Sequence, residues 1–150
     1  MTVRFKTGNK ASLTLSADHT TGVGTTFVGN IVSINPGEWT LGERDVSVLS
    51  DEDFSRVDPQ DLATTNEISG VVRFNPVLGM PAVDGEIETV VVTFPKQSTA
   101  TSGVTQGNIT GKGFFTRIAF PNLVNNETMD AEFTIKMTGE SLAQNAETSS

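Results

Sequence analysis

One histidine, no cysteine and eighteen acidic residues define the chemistry open to this chain. His19 sits in the polar stretch "SADHTTG", so any Ser-His-Asp device would have to be built on it, and no G-x-S-x-G nucleophile elbow is present. Zinc needs three or four clustered His, Cys or carboxylate ligands, which a single His without Cys does not readily supply. The best cation motif is "DEDFSRVDPQDL", where Asp51, Asp53 and Ser55 have the one-three-five spacing of a calcium loop. It fails where that loop is strict: Arg56 stands at the glycine position and Leu62 at the bidentate glutamate position. Paired carboxylates for glycoside hydrolysis remain open, because such pairing is spatial. Sugar-handling surfaces favour aromatic platforms, however, and the chain has Trp39 as its one Trp and no Tyr. Asn108-Ile-Thr110 and Asn126-Glu-Thr128 match the glycosylation sequon, but no secretory leader pattern accompanies them. The expectation is a non-enzymatic protein with no metal and no cofactor.

The formal charge of −8 is unevenly distributed. The segment Glu38 to Glu67 holds nine acids against Arg44 and Arg56, a net −7. Such a surface repels nucleic-acid phosphate, since affinity for DNA comes from Lys and Arg displacing counterions. Passage of DNA past the surface without binding remains compatible with it. The N-terminal residues carry no apolar core of a signal peptide, and no apolar run approaches the length of a membrane span. A soluble, cytoplasmically made protein without membrane association is expected.

The elements that would position these residues read as strands. From Met129 to Met137 every odd position is apolar (Met129, Ala131, Phe133, Ile135, Met137) and every even position is polar (Asp130, Glu132, Thr134, Lys136). A period of two means a half-buried strand whose even face needs its own explanation. Other candidate strands are Ser12 to Ser16, Thr26 to Ile34, Arg44 to Leu49, Glu67 to Phe74, Ile87 to Phe94 and Gly113 to Phe120, separated by Gly, Pro, Asn and Ser clusters. Asn125-Asn126 suits a hairpin turn, and Gly111 and Gly113 suggest a bulge or a close backbone approach. One short helix is expected after Ser50, whose side chain could cap a first turn of Asp51, Glu52 and Asp53, with Pro59 ending it. That helix would lie in a long loop, Ser50 to Asn66. Lys96 to Asn108 is Ser/Thr/Gly-rich and reads as flexible, and residues 141–150 read as a polar C-terminal tail after a single β domain spanning 1–140.

In this order the elements resemble the tail tube (major tail) proteins of long-tailed, non-contractile bacteriophages. The run "IVSINPGEWTLGERDVSVLSDEDFSRVDPQDLATTNEISGVVRFNP" is similar to that family's strand, Gly/Pro turn, alternating strand, long crossing loop and strand ending in aromatic-x-Pro. "GKGFF", the polar connection Asn125 to Met129 and the ending Lys136-Met137-Thr138-Gly139-Glu140 resemble its closing strands. One departure is that Val77 to Glu86 is too short and too rich in Gly and Pro for the helix many members carry there. The resemblance implies an all-β fold, a two-sheet β-sandwich or barrel, with subunits closing into hexameric rings that stack into a hollow, acid-lined tube. It implies self-association, tape-measure and tail-tip or terminator proteins as partners, DNA passing through the lumen, and a place in the virion. Asp51, Asp53, Phe54, Arg56 and Asp58 become the candidate ring-stacking residues. Asp130, Glu132 and Lys136 become the candidate lumen or seam face. The rival expectation is a monomeric β-sandwich module binding a small ligand or glycan, with Trp39 as its aromatic anchor.

Overall fold

The computed structural model describes residues 11–15, 25–26, 31–49, 54–74, 80, 83–100 and 102–149, and every regular element among them is a β-strand. In chain order these are β1 (Ser12–Leu15), β2 (Thr25–Thr26), β3 (Ile31–Asn35), β4 (Trp39–Asp45), β5 (Val57–Thr65), β6 (Ile68–Arg73), β7 (Glu88–Thr93), β8 (Val104–Thr105), β9 (Asn108–Ala119), β10 (Asp130–Met137), β11 (Ala143–Asn145) and β12 (Thr148–Ser149). The main sheet runs β2-β1-β7-β9-β10-β6-β3, with β11 also paired to β9. It curls into a half-barrel. Strands β4 and β5 form a separate two-stranded sheet, and β8 and β12 form another.

The period-two pattern of β10 decides which face of the curl is the core. Ala131, Phe133, Ile135 and Met137 are buried, and from neighbouring strands they meet Ile68 and Val72, Phe115, Val90 and Val92, and Leu13 and Leu15. Phe133 lies opposite Gly70 in the ladder, where a Cβ on Gly70 would come within 2.7 Å of the Phe133 ring and 2.6 Å of the Ser33 carbonyl oxygen. The missing side chain is therefore the seat of the ring. On its other side Phe133 packs edge-on against Phe115, with centroids 6.3 Å apart.

The β10 expectation holds, and so does the turn chemistry, since Asn126 adopts φ 67° in the connection between β9 and β10. Gly111 also behaves as expected: a Cβ there would collide with Met137 and Leu142. The region after Ser50 is different. Residues 50–53 lie outside the described residues, but Phe54 to Arg56 are irregular and Val57 onward is the nine-residue strand β5. From Phe54 onward the expected helix and long loop give way to a hairpin arm, and the preceding strand sits at Trp39–Asp45, earlier than Arg44 to Leu49. Pro59, taken as a helix stop, is accommodated in the strand because its partner Glu43 adjoins a register shift between Leu41 and Glu43. Of Val77 to Glu86, the described residues 80 and 83–86 are not helical.

The Ser/Thr-rich and C-terminal segments also depart from their compositional reading. After Met137 the chain passes through Gly139 (φ 90°) and Ser141 (φ 54°) and resumes along β9 as β11, so Leu142 reaches the core. Beyond it the Glu147 carboxylate accepts hydrogen bonds from the backbone amides of Gln97 (2.8 Å) and Ser98 (2.7 Å), and β12 pairs with β8. Residues read as a loose loop and a polar tail thus fasten each other.

Phe133→Ala is expected to cost about 3–5 kcal/mol, because it empties the centre of the core, and Gly70→Ala should also destabilise by forcing the ring from its seat. Urea unfolding midpoints of the two variants against the parent check both. Glu147→Gln should cost about 2 kcal/mol, as a hydrogen bond to a charged group contributes roughly 1.5–3 kcal/mol. It should also accelerate amide exchange at Gln97 and Ser98; unaltered exchange there would contradict the clasp.

Candidate functional site

The β4–β5 hairpin stands out in water, since every residue of its two strands but Thr65 is exposed. Gly37 launches it with φ 79°, and the close Glu67 carbonyl, 2.8 Å from where a Cβ would sit, leaves room for glycine alone. Its base is tied by the Asn66 amide donating to the Glu38 carbonyl (2.9 Å) and by the Asn66 side chain donating to the Glu38 carboxylate (3.0 Å). Facing hydroxyls of Thr40 and Thr64 meet at 2.7 Å. At the far end the Arg56 amide donates to Ser47 Oγ (2.6 Å) and the Ser47 amide donates to Asp45 Oδ1 (2.8 Å). The Ser47 amide, and then its hydroxyl, hold the Asp45 carboxyl below its ordinary value.

Two isolated strands are marginal in water, and this arm leaves apolar side chains in solvent, Leu41, Val57 and Leu62 from its strands and Val48, Leu49 and Phe54 from the connection between them. Phe54 is 85% exposed and Leu62 79%. The same arm concentrates acid, with Glu43, Asp45, Asp58 and Asp61 in its strands against Arg44, which pairs with Asp61 at 3.8 Å. Of the five expected stacking residues, Asp58 stands opposite Arg44 in the ladder, Phe54 and Arg56 lie near the tip, and Asp51 and Asp53 lie outside the described residues. His19 also lies outside them.

A second apolar display lies at the opposite end of the sheet. The hairpin leaves from the end where β3 finishes and β6 begins, whereas the β9–β10 connection lies where β6 ends, with the Phe74 amide donating to the Met129 carbonyl. This connection exposes Phe120, Leu123 and Val124, and Phe120 meets Phe74 edge-on at 6.0 Å. Sequence reasoning did not single out these three residues, although an apolar "AFPNLV" run beside a turn was the available signal.

The even face of β10 forms part of the open face of the main sheet. Asp130 pairs with Arg73 on β6 (3.2 Å), and Glu132 receives both terminal nitrogens of Arg117 on β9 at 3.3 Å. Lys136 has no carboxylate at ion-pair distance among the described residues. The three expected face residues are therefore together on one surface. Beside them, Ser33, Asn35, Ser69, Val71, Thr134 and the Arg117–Glu132 pair line a shallow groove of about 410 Å³. Trp39, 43% exposed, borders a smaller cleft of about 230 Å³ with Pro36, Glu38, Ile109 and Gln144. Among the described residues no three His, Cys, Asp or Glu side chains group as metal ligands, and no helix is long and apolar enough to cross a membrane.

No protein-family model and no curated protein sequence matches the chain. Solved structures do. The tail of an empty GTA particle with C6 symmetry superposes with a TM-score of 0.64 at 17% identity, covering 95% of this chain and all of that one. The sheath/tube terminator of an extracellular contractile injection system, PVC, in its extended state gives the same TM-score at 9% identity, covering 95% of this chain and 98% of that one. At these identities the likeness speaks to the fold, and it extends over nearly the whole chain: this protein has a tail-tube-like fold.

Proposed function

We propose that this chain is a structural, non-enzymatic subunit of a phage-type tail that closes into rings, six copies to a ring, which stack into a hollow tube for DNA delivery. The observation that carries this reading is the β4–β5 hairpin, which has exposed apolar side chains and, among the described residues, little to pack on. A partner surface would cover them. The second apolar display, Phe120 to Val124, stands at the far end of the strands, so a contact between one copy's hairpin and the next copy's β9–β10 end repeats along one direction. Heterologous contacts of that kind generate rings or open stacks, not closed pairs. The C6 symmetry of the GTA tail supports the ring size, and the likeness to that tail and to the sheath/tube terminator of a contractile injection system supports a place in a tail of the virion. Tape-measure, tail-tip and terminator proteins are the partners such a tube would meet.

In this reading Phe54, Arg56 and Asp58 belong to the stacking arm, together with Asp51 and Asp53. Leu41 and Leu62 join them as apolar anchors.

Negative-stain electron microscopy over a concentration series, with and without tail-tip components, tests the proposal. The parent protein is expected to form rings or hollow tubes, and Phe54→Asp with Leu62→Asp should abolish tubes while circular dichroism retains the β signature, because both side chains are already in water. Tubes of normal length from the double variant would refute the stacking role. A parent that stays monomeric even with tail-tip components would favour a ligand-binding module, with the Trp39 cleft as its site.

A further inference from the structure

The chain as a whole is strongly acidic, but the open face of its main sheet is not. Its strands place Arg73, Lys112, Arg117 and Lys136 on that face, against Asp130 and Glu132, with Glu140 reaching Lys112 at 3.9 Å from the loop beyond β10. Four of the ten Lys and Arg residues are gathered there, whereas the hairpin strands carry four acids to one base. Charge is thus segregated within the fold. The two arginines on the face are individually answered, since Asp130 holds Arg73 across one ladder and Glu132 holds both terminal nitrogens of Arg117 across the other, while Lys136 has no carboxylate at ion-pair distance among the described residues. These side chains are half exposed or nearly so, where an ion pair contributes little to stability. Holding the fold together is therefore an insufficient account of the arrangement.

We infer that this face is the wall past which DNA moves, and that its carboxylates mask arginines which would otherwise grip phosphate. The inference rests on the tube reading for the identity of the passing polyanion. It assigns a wall of cancelled charge, where uniform acidity was the expectation. An unmasked row of arginines would bind backbone phosphate and release counterions, arresting the strand. A wall made only of acids would repel DNA over the whole range of screening. Alternating pairs leave little net field at the surface while each guanidinium stays occupied by a neighbour one strand away. Between the charged groups the face is uncharged, with Thr89, Thr93, Thr134 and Ser69 beside the half-buried Val71, Val91 and Phe114. The groove along Ser33, Ser69 and Val71 leaves the Arg117–Glu132 pair accessible from solvent.

The test uses a short fluorescein-labelled DNA duplex and fluorescence anisotropy over a low-salt series, on the full chain. The parent should show no saturable binding. Asp130→Asn with Glu132→Gln should bind at least about tenfold more tightly, with a log–log salt slope steeper by roughly 0.9 for each arginine released. Adding Arg73→Gln and Arg117→Gln should return the protein to non-binding. An unmasked variant with an unchanged thermal midpoint that ignores DNA would overturn the inference, as would a parent that binds equally well or binding that survives loss of both arginines. Microscopy of the same parent sample separates the two readings. Rings without a DNA gain in the variant would remove the mask and leave the tube; a DNA gain without rings, even with tail-tip components, would remove the tube and leave the masked face.

Discussion

The seating of Phe133 on Gly70 fixes the rest of this molecule. Strand β10 is paired on both edges, to β6 and to β9, so its inward row determines where the sheet curls. A ring laid across a glycine and against Phe115 has one register in which it fits. A slip of one residue would turn Asp130, Glu132, Thr134 and Lys136 into the core and Phe133 into water. Because that cost is so large, the cross-strand ion pairs on the opposite face inherit their positions from apolar packing. Arg73 meets Asp130, and Arg117 meets Glu132, because the register is set elsewhere.

The turn between β10 and β11 is the second constraint. β9 is long enough to pair with β10 along one half and with β11 along the other, and the excursion at Gly139 to Leu142 separates the two. Gly111 permits it by leaving space for Met137 and Leu142. The turn that sends Leu142 inward also redirects the chain end toward the Gln97–Ser98 amides, where Glu147 fastens the loop. Polar residues with little apolar surface of their own are ordered here by backbone pairing and by one carboxylate.

The two kinds of surface have opposite logic. The hairpin arm carries exposed apolar side chains and excess acid, stabilised locally by Asp45, Ser47 and the Glu38–Asn66 tie, but not covered by the curled sheet. The open face of the sheet carries paired charge and hydroxyls, with Val71, Val91 and Phe114 half-buried among them. One is suited to being covered, the other to being passed over. Most of the exposed large apolar side chains among the described residues lie in the hairpin arm and in the β9–β10 connection, at the two ends of the strands.

The sequence by itself determined the all-β class, the strand around Met129 to Met137 with its inward and outward rows, the Asn125-Asn126 turn and the close approach at Gly111. Each is written in a local signal: a period of two, a residue tolerant of left-handed backbone, or a missing Cβ. The sequence was misleading after Ser50, where acids near a capping serine and a later proline imitate a short helix. "VDPQDLATT" forms a strand exposed on both faces, and such a strand has no inward row to produce a period. It was silent on the Glu147 clasp and on the pairing of Arg73 and Arg117 with β10, since the partners stand 49 to 50, 57 and 15 residues apart. Those contacts exist only once the curl brings distant strands side by side, so tertiary structure alone decided which charges cancel and which are left facing outward.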